Sequence, residues 1–257
     1  MTRSISQTEL TKAERFGDFV PVYKINSQTV VKSGQSVRMS EAETMKFVRE
    51  RTTIPIPQVL DAYTDEQSGM VRIVMEFIEG DNLDAAWDKY TDAEKESVVS
   101  QLHGYMGELR QIKGSFIGSV DGFWCNDHYF DNNRGAYGPF ADEAAFNQGI
   151  VKALKEAQPL DWVNFTCDIF TEVMDGHEVV MTHNDFDPRN ILVRGSQVVA
   201  LLDWELSGYY PEYWEYCKAM RRPDWETGWV RDRALDRILK PYRKELSVMW
   251  NTTEIIW

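Results

Sequence analysis

The chain has 257 residues, 43% of them hydrophobic, with 28 Lys and Arg against 41 Asp and Glu for a net charge of −13. That length and apolar content support a sizeable core in one large domain or two coupled lobes and exclude a disordered chain, while the acidic excess argues against nucleic acid and anionic membranes as partners and favours cationic ligands. Cys125, Cys167 and Cys217 fit neither a disulfide framework nor a zinc spacing, no run approaches a membrane span, and no signal segment opens the chain, so a reducing, cytoplasmic setting is expected.

Two strand-like runs come first, residues 19–25 and 29–32, joined by a turn at Asn26-Ser27-Gln28. Lys32 sits inside the second, where an isolated lysine ordinarily points at solvent. Ser40-Glu41-Ala42-Glu43 then has the form of a capping box, with Ser40 as cap and Glu43 three residues on. Met45 and Val48 follow Glu41 by four and seven residues, which puts that glutamate on the helix's inward face. Residues 54–60 lead into another strand, and residues 71–80 read by themselves as an edge strand closed by Gly80.

From residue 91 the pattern turns helical. Thr91-Asp92-Ala93-Glu94 is a second capping box, and Val98, Leu102, Met106, Leu109 and Ile112 form a stripe at helical spacing. Segments 141–157 and 161–174 continue it through Phe146, Ile150 and Leu154, then Trp162, Phe165 and Ile169, all expected in the core. Asp127 and His128 have no further ligand at metal spacing and read as a surface loop. His103 and His177 have no functional context, and residues 221–257 alternate as helices packing on a large lobe do.

The densest chemistry lies at His183-Asn184-Asp185-Phe186-Asp187-Pro188-Arg189-Asn190 and, thirteen residues after Asn190, at Asp203-Trp204-Glu205. Residues 179–182 read as a strand entering the loop, 191–193 as one leaving it, and 198–202 as a third that delivers Asp203 after a turn at Gly195-Ser196. A hairpin of the last two brings Asn190 and Asp203 to one end. Phosphoryl transfer asks a protein for metal ligands and for a carboxylate that orients the nucleophile or accepts its proton, which Asp185, Asn190 and Asp203 would supply. Taken singly, each is an ordinary turn residue; the combination is what points to a site.

This order of His-x-Asp-x-x-x-x-Asn, hairpin and Asp resembles the catalytic core of the protein-kinase-like fold. Asp-Trp-Glu in place of Asp-Phe-Gly, followed directly by residues 206–216 and by no activation segment, resembles the aminoglycoside/choline phosphotransferase family, and especially its fungal-type members. The resemblance implies an α+β, bilobal protein-kinase-like fold with a small β-sheet lobe over 1–78 and a larger, mainly helical lobe over 79–257 that holds the catalytic loop. It implies ATP as donor, Mg2+ as cofactor and a small-molecule hydroxyl as acceptor. By resemblance Asp185 is the base, Asn190 and Asp203 bind metal, and His183 braces the loop. Lys32 paired with Glu41 orients the phosphates, Glu43 being the competing partner assigned instead to the cap. The backbone at Glu76 and Ile78 would hold adenine beside Met75, and 117–128 resembles a two-stranded turn of the fungal-type relatives. One departure stands out: no G-x-G-x-x-G loop precedes Lys32, and Gly17 is alone. A non-catalytic pseudokinase or nucleotide-binding protein is therefore the alternative reading, set against the intact Asp185, Asn190 and Asp203.

In such a fold the acceptor lies near the catalytic Asp and the segment after the metal Asp. Asp187, Glu205, Glu212 and Glu215 stand there with Tyr209, Tyr210, Tyr213 and Trp214, a combination that would attract a cationic hydroxylated amine and hold it by cation–π contact. The same aromatic run also reads as a buried helix packing the lobe. Both readings stay open at this point.

Overall fold

Residues 5–17, 20–130, 137–221 and 225–256 are described by a computed structural model of the chain; Phe19, the expected start of the first long strand, and Trp257 lie outside them. A short helix α1 (Gln7–Lys12), capped by Ser6, precedes β1 (Glu14–Phe16), β2 (Val22–Asn26) and β3 (Thr29–Gly34). Helix α2 (Met39–Arg49) follows, then β4 (Val59–Thr64) and β5 (Val71–Glu76). The five strands make one antiparallel sheet in the order β1-β2-β3-β5-β4. Strand β5 is thus no edge but lies between β3 and β4, with Ile73 fully buried. Strand β1 has no alternation to announce it, since all three of its residues are exposed.

Helix α2 corrects the expected cap. It begins at Met39 with Arg38 as N-cap and no side-chain capping bond, so Ser40 lies inside the first turn and Glu43 points outward. A cap contributes only about 1 kcal/mol, and burying Glu41, Ala42, Met45 and Val48 on one face outweighs it.

The second lobe begins with β6 (Asp81–Asn82) and the helices α3 (Leu83–Trp87), α4 (Asp92–Gln111), α5 (Glu143–Ala157) and α6 (Asp161–Val173). Strands β7 (Val179–Thr182), β8 (Ile191–Arg194), β9 (Gln197–Leu201) and β10 (Gly208–Pro211) come next, followed by α7 (Trp214–Ala219), α8 (Gly228–Arg231), α9 (Ala234–Ile238) and α10 (Arg243–Ile256). The strands form two small sheets, β6-β8-β9 and β10-β7. The Thr91 capping box is present, and Val98, Leu102, Met106 and Leu109 are buried along α4. Segment 117–128 closes a turn on itself, with Ser119 N–H donating to Phe123 O at 3.2 Å, but it forms no two-stranded ladder: Ile117 bridges Phe140 and Gly118 bridges Tyr209. Among the described residues no helix is long and apolar enough to cross a membrane.

Phe146, Ile150 and Leu154 are fully buried on α5, as expected. On α6 the expected face is the wrong one. Trp162, Phe165 and Ile169 are exposed, and Val163, Cys167 and Phe170 face the core. The two stripes are one residue apart in register, about 100° around the helix, and only one can meet α5 and α10. Replacing Phe170 by Ala should cost ~3–5 kcal/mol in urea unfolding, whereas Phe165→Ser should stay within about 0.5 kcal/mol of wild type; the reverse order would mean that the stripe at Trp162 is the packed one.

Candidate active site

Strand β3 lies inside the sheet, so Lys32 is 4% exposed and its ammonium must find partners within the protein. Its Nζ is 2.9 Å from Glu41 Oε1, 2.7 Å from Asp203 Oδ1 and 3.1 Å from Glu205 Oε2. Burial alone would lower the Lys32 pKa; Glu41, Asp203 and Glu205 more than offset it and hold the pKa above the ordinary lysine value. Glu41 is pushed upward by its own burial, with Lys32 pulling it part of the way back. Its second oxygen, Oε2, has no hydrogen-bond partner among the described residues. Of the two glutamates weighed from the sequence, Glu41 is brought to Lys32; Glu43 is exposed, with Lys46 3.9 Å away.

The hairpin β8–β9 pairs Ile191 with Leu201, and Leu202 N–H donates to Asn190 O at 2.8 Å, which sets Asn190 beside the approach to Asp203. Asn190 Nδ2 donates to the Asp185 backbone oxygen and to Asp185 Oδ2, both at 3.0 Å. Among the described residues nothing donates to Asn190 Oδ1, so that oxygen is available to a ligand. Asp187 caps the turn Pro188–Asn190 through Arg189 N–H at 2.9 Å and holds the Arg189 guanidinium at 2.9 and 3.1 Å.

His183 is fully buried, its Nε2 2.9 Å from Leu202 O while its Nδ1 accepts from Asp185 N–H at 3.2 Å. A carbonyl on one nitrogen and an N–H on the other require the neutral imidazole with its proton on Nε2. Burial lowers its pKa accordingly. The ring therefore links the loop to the end of β9 without adding charge.

Four residues to which the sequence reading gave no such role, Glu215, Asn184, Asp127 and Lys218, hold this loop. Glu215, on the fully buried α7, accepts His183 N–H at 2.6 Å and Asn184 N–H at 3.0 Å. Asn184 donates to Asp127 at 2.8 Å and to Leu206 O at 2.9 Å, and accepts from Trp214 Nε1 at 3.0 Å. Asp127 is buried and sits 3.0 Å from Lys218 Nζ, so it is a structural anion rather than part of a surface loop; the side chain of His128 lies outside the described residues. Burial would raise the Asp127 pKa, but Lys218 and the surrounding donors keep it below the ordinary value. Asn184 and Asp203 both have left-handed backbones, φ +70° and +62°, which Asn and Asp tolerate better than other side-chain-bearing residues. The signal available in the sequence was the pair of polar residues at these turns; the partners are remote.

Met75 and Glu76 end β5, paired with Val30 and Thr29 of β3. Glu76 N–H is taken by Gln58 O at 2.9 Å, which leaves its carbonyl for a ligand, and no described residue bonds the backbone of Ile78. Between β1 and β2, Gly17 has φ +80° and a Cβ there would meet Val20 O at 2.6 Å, so a glycine is required in this turn, though it remains the only one.

Of the two readings left open for the aromatic run, the acceptor wall is the one contradicted. Tyr210, Tyr213 and Trp214 are fully buried and Tyr209 nearly so, because β10 pairs with β7 and α7 packs beneath it; Trp214 stacks on Tyr210 and meets Phe146 edge-on. Asp187 and Glu215 are likewise buried and engaged, which leaves Glu205 and Glu212 partly exposed.

Because His183 is held neutral, it contributes stability above the unfolded-chain value of about 6.5, and that contribution is lost as pH falls through this value toward the depressed folded one. Urea unfolding between pH 8 and pH 5 should show wild type losing stability toward acid. His183→Gln should be less stable at pH 8 but show a shallower slope; parallel curves would mean that His183 is already charged in the folded state.

Residues 29–247 match the phosphotransferase enzyme family. No curated protein sequence matches the chain. Among solved structures, the GDP complex of aminoglycoside 2′-phosphotransferase-IIIa is similar at TM-score 0.63 and 14% identity, over 95% of this chain and 83% of that one. The streptomycin–ATP ternary complex of APH(2″)-IIa gives 0.61 and 18% over 97% and 87%. A phosphotransferase structure from Ralstonia eutropha, described as an aminoglycoside one, gives 0.59 and 16% over 95% and 73%. These likenesses carry the fold, and the family match covers most of the chain: this protein belongs to the phosphotransferase enzyme family and is a small-molecule kinase of protein-kinase-like fold.

Proposed function

We propose that the site transfers the γ-phosphate of ATP to a hydroxyl of a small molecule, a cationic hydroxylated amine. The observation that carries the proposal is Lys32 bonding Glu41 and Asp203 at once, with Asp203 at the end of the hairpin that begins beside Asn190 and Asp185. In this reading the acceptor oxygen attacks the γ-phosphorus, its proton passes to the Asp185 carboxylate, and the bond to the bridging β–γ oxygen breaks to release ADP. Lys32, oriented by Glu41, binds the phosphates, and His183 keeps the loop in register. The carbonyl of Glu76 and the free N–H of Ile78 face adenine, with Met75 against its ring. The lobes divide at residue 78, giving 1–78 and 79–257.

The donor set fits magnesium. Asp203 and Asn190 Oδ1 are hard oxygen ligands, and Mg2+ is commonly held by only one or two protein groups plus phosphates. When bound, the ion neutralises charge on the phosphates. The net charge of −13 supports a cationic acceptor, as do the solved gentamicin and streptomycin complexes of APH(2″)-IIa among the structural neighbours. Asp-Trp-Glu and residues 206–216 support placement in the fungal-type aminoglycoside/choline branch, and three free buried thiols support a cytoplasmic setting. The lone Gly17 favours the second reading, a nucleotide-binding pseudokinase.

Asp185→Ala should lower turnover ~10²–10⁴-fold and leave Mg-ATP affinity nearly unchanged in calorimetry; equal losses in both would mark Asp185 as structural. Asp203→Asn should abolish metal-dependent nucleotide binding with the fold retained, and undiminished Mg-ATP binding would refute its role. Glu41→Gln should cut turnover, whereas Glu43→Ala should match wild type in both turnover and stability, within about 0.5 kcal/mol. Wild type that binds Mg-ATP yet phosphorylates no acceptor would favour the pseudokinase.

A further inference from the structure

We propose that Phe123 and Trp124 form a platform that binds a ring of the acceptor, so that the alcohol phosphorylated here carries an aromatic group close to its hydroxyl. The inference rests on the phosphotransfer reading and adds to it a recognition site and a structural class. Phe123 is 56% exposed and Trp124 39% exposed, and the two rings meet edge-to-face at 5.8 Å. Leaving two large rings in water costs hydrophobic free energy that no packing within the lobe recovers.

These rings stand at the candidate site. Two residues beyond Trp124, Asn126 Nδ2 donates to Glu205 O at 2.6 Å, and Glu205 Oε2 is 3.1 Å from Lys32 Nζ. Two residues of chain span at most about 7 Å, so the Trp124 backbone lies close to Asn126, the residue that bonds the Glu205 backbone. The segment is anchored on both sides: Gly118 and Tyr209 exchange backbone bonds at 3.1 and 2.8 Å, Ser119 N–H donates to Phe123 O at 3.2 Å, and Asp127 is held by Asn184, Trp214 and Lys218. From the sheet lobe, the Arg38 guanidinium at the start of α2 lies 5.7 Å from the indole centroid. The platform therefore adjoins both lobes.

Charge alone does not distinguish one amine from another here: the three carboxylates around Lys32 leave a negative excess that draws any cation, while Asp187 is paired with Arg189 and Asp127 with Lys218. What Phe123 and Trp124 offer is the exposed part of two rings, which select another ring by stacking or edge contact. A hydroxylated amine bearing an aromatic group satisfies both levels, its ammonium drawn by the acidic field and its ring set on Trp124.

The test uses phenylglycinol and alaninol, which share the amino-alcohol and differ in phenyl against methyl. Wild type with Mg-ATP should prefer phenylglycinol about tenfold in kcat/KM, through KM. Trp124→Ala and Phe123→Ala should each reduce kcat/KM for phenylglycinol about fivefold, with alaninol and the KM for ATP unchanged, and Trp124→Phe should recover most of the loss. Arg38→Ala separates this role from a simple clasp between lobes: if it reproduces Trp124→Ala, Trp124 serves α2 and the proposal falls. No preference in wild type, or equal losses with both acceptors, overturns it too. If neither compound is phosphorylated, calorimetry decides. Tighter binding of phenylglycinol that is lost in Trp124→Ala supports the platform while the phosphotransfer reading fails; equal or absent binding overturns the platform whatever the enzyme does with Mg-ATP.

Discussion

The ammonium of Lys32 sits almost out of water, and placing it there obliges three other parts of the chain to reach it. An ion moved into the interior loses several kcal/mol of solvation that only close, well-oriented counter-charges recover. Glu41 comes from α2, nine positions away in the chain; Asp203 and Glu205 come from beyond β9, 171 and 173 positions away. The cluster thus joins the sheet lobe to the hairpin that carries the rest of the site. Three carboxylates around one ammonium leave an excess of negative charge at the cluster.

A second set of buried ions fixes the loop. Glu215 receives two successive backbone N–H groups at His183 and Asn184, and Asp127 receives Asn184, Trp214 and Lys218. Removing one partner of such a set leaves another buried and unsatisfied, so the arrangement is held against local deformation. It also maintains the left-handed backbone at Asn184, one residue before Asp185. Hydrogen bonds to both ring nitrogens of neutral His183 then tie Asp185 to Leu202, next to Asp203. In this way the backbone at Asp185 and the approach to Asp203 are held by buried side chains from remote parts of the chain.

Much of this architecture can be read along the chain. Residues 179–182, 191–193 and 198–202 announce their strands by composition and by the turn between them, and the Thr91 cap by its spacing, because each depends on neighbours a few residues away. Lys32 and Glu41 were legible as a strand lysine and an inward helical glutamate, though solvent exposure was the simpler reading of the lysine. The Ser40 cap failed because a weak local bond competed with burial of a whole helix face.

What tertiary structure alone decided is the identity of partners. Helix α6 carries two apolar stripes with equal local claim, and α5 and α10 chose Val163, Cys167 and Phe170 over Trp162, Phe165 and Ile169. The aromatic run from Tyr209 to Tyr216 became core once β10 paired with β7, and exposed rings appeared instead at Phe123 and Trp124. Asp127 looked like a loop residue because Lys218, the charge that permits its burial, lies 91 residues on. Periodicity and turn chemistry act over a few bonds and are written in the sequence; desolvated charges and packed faces are matched through space, and only the folded chain brings their partners together.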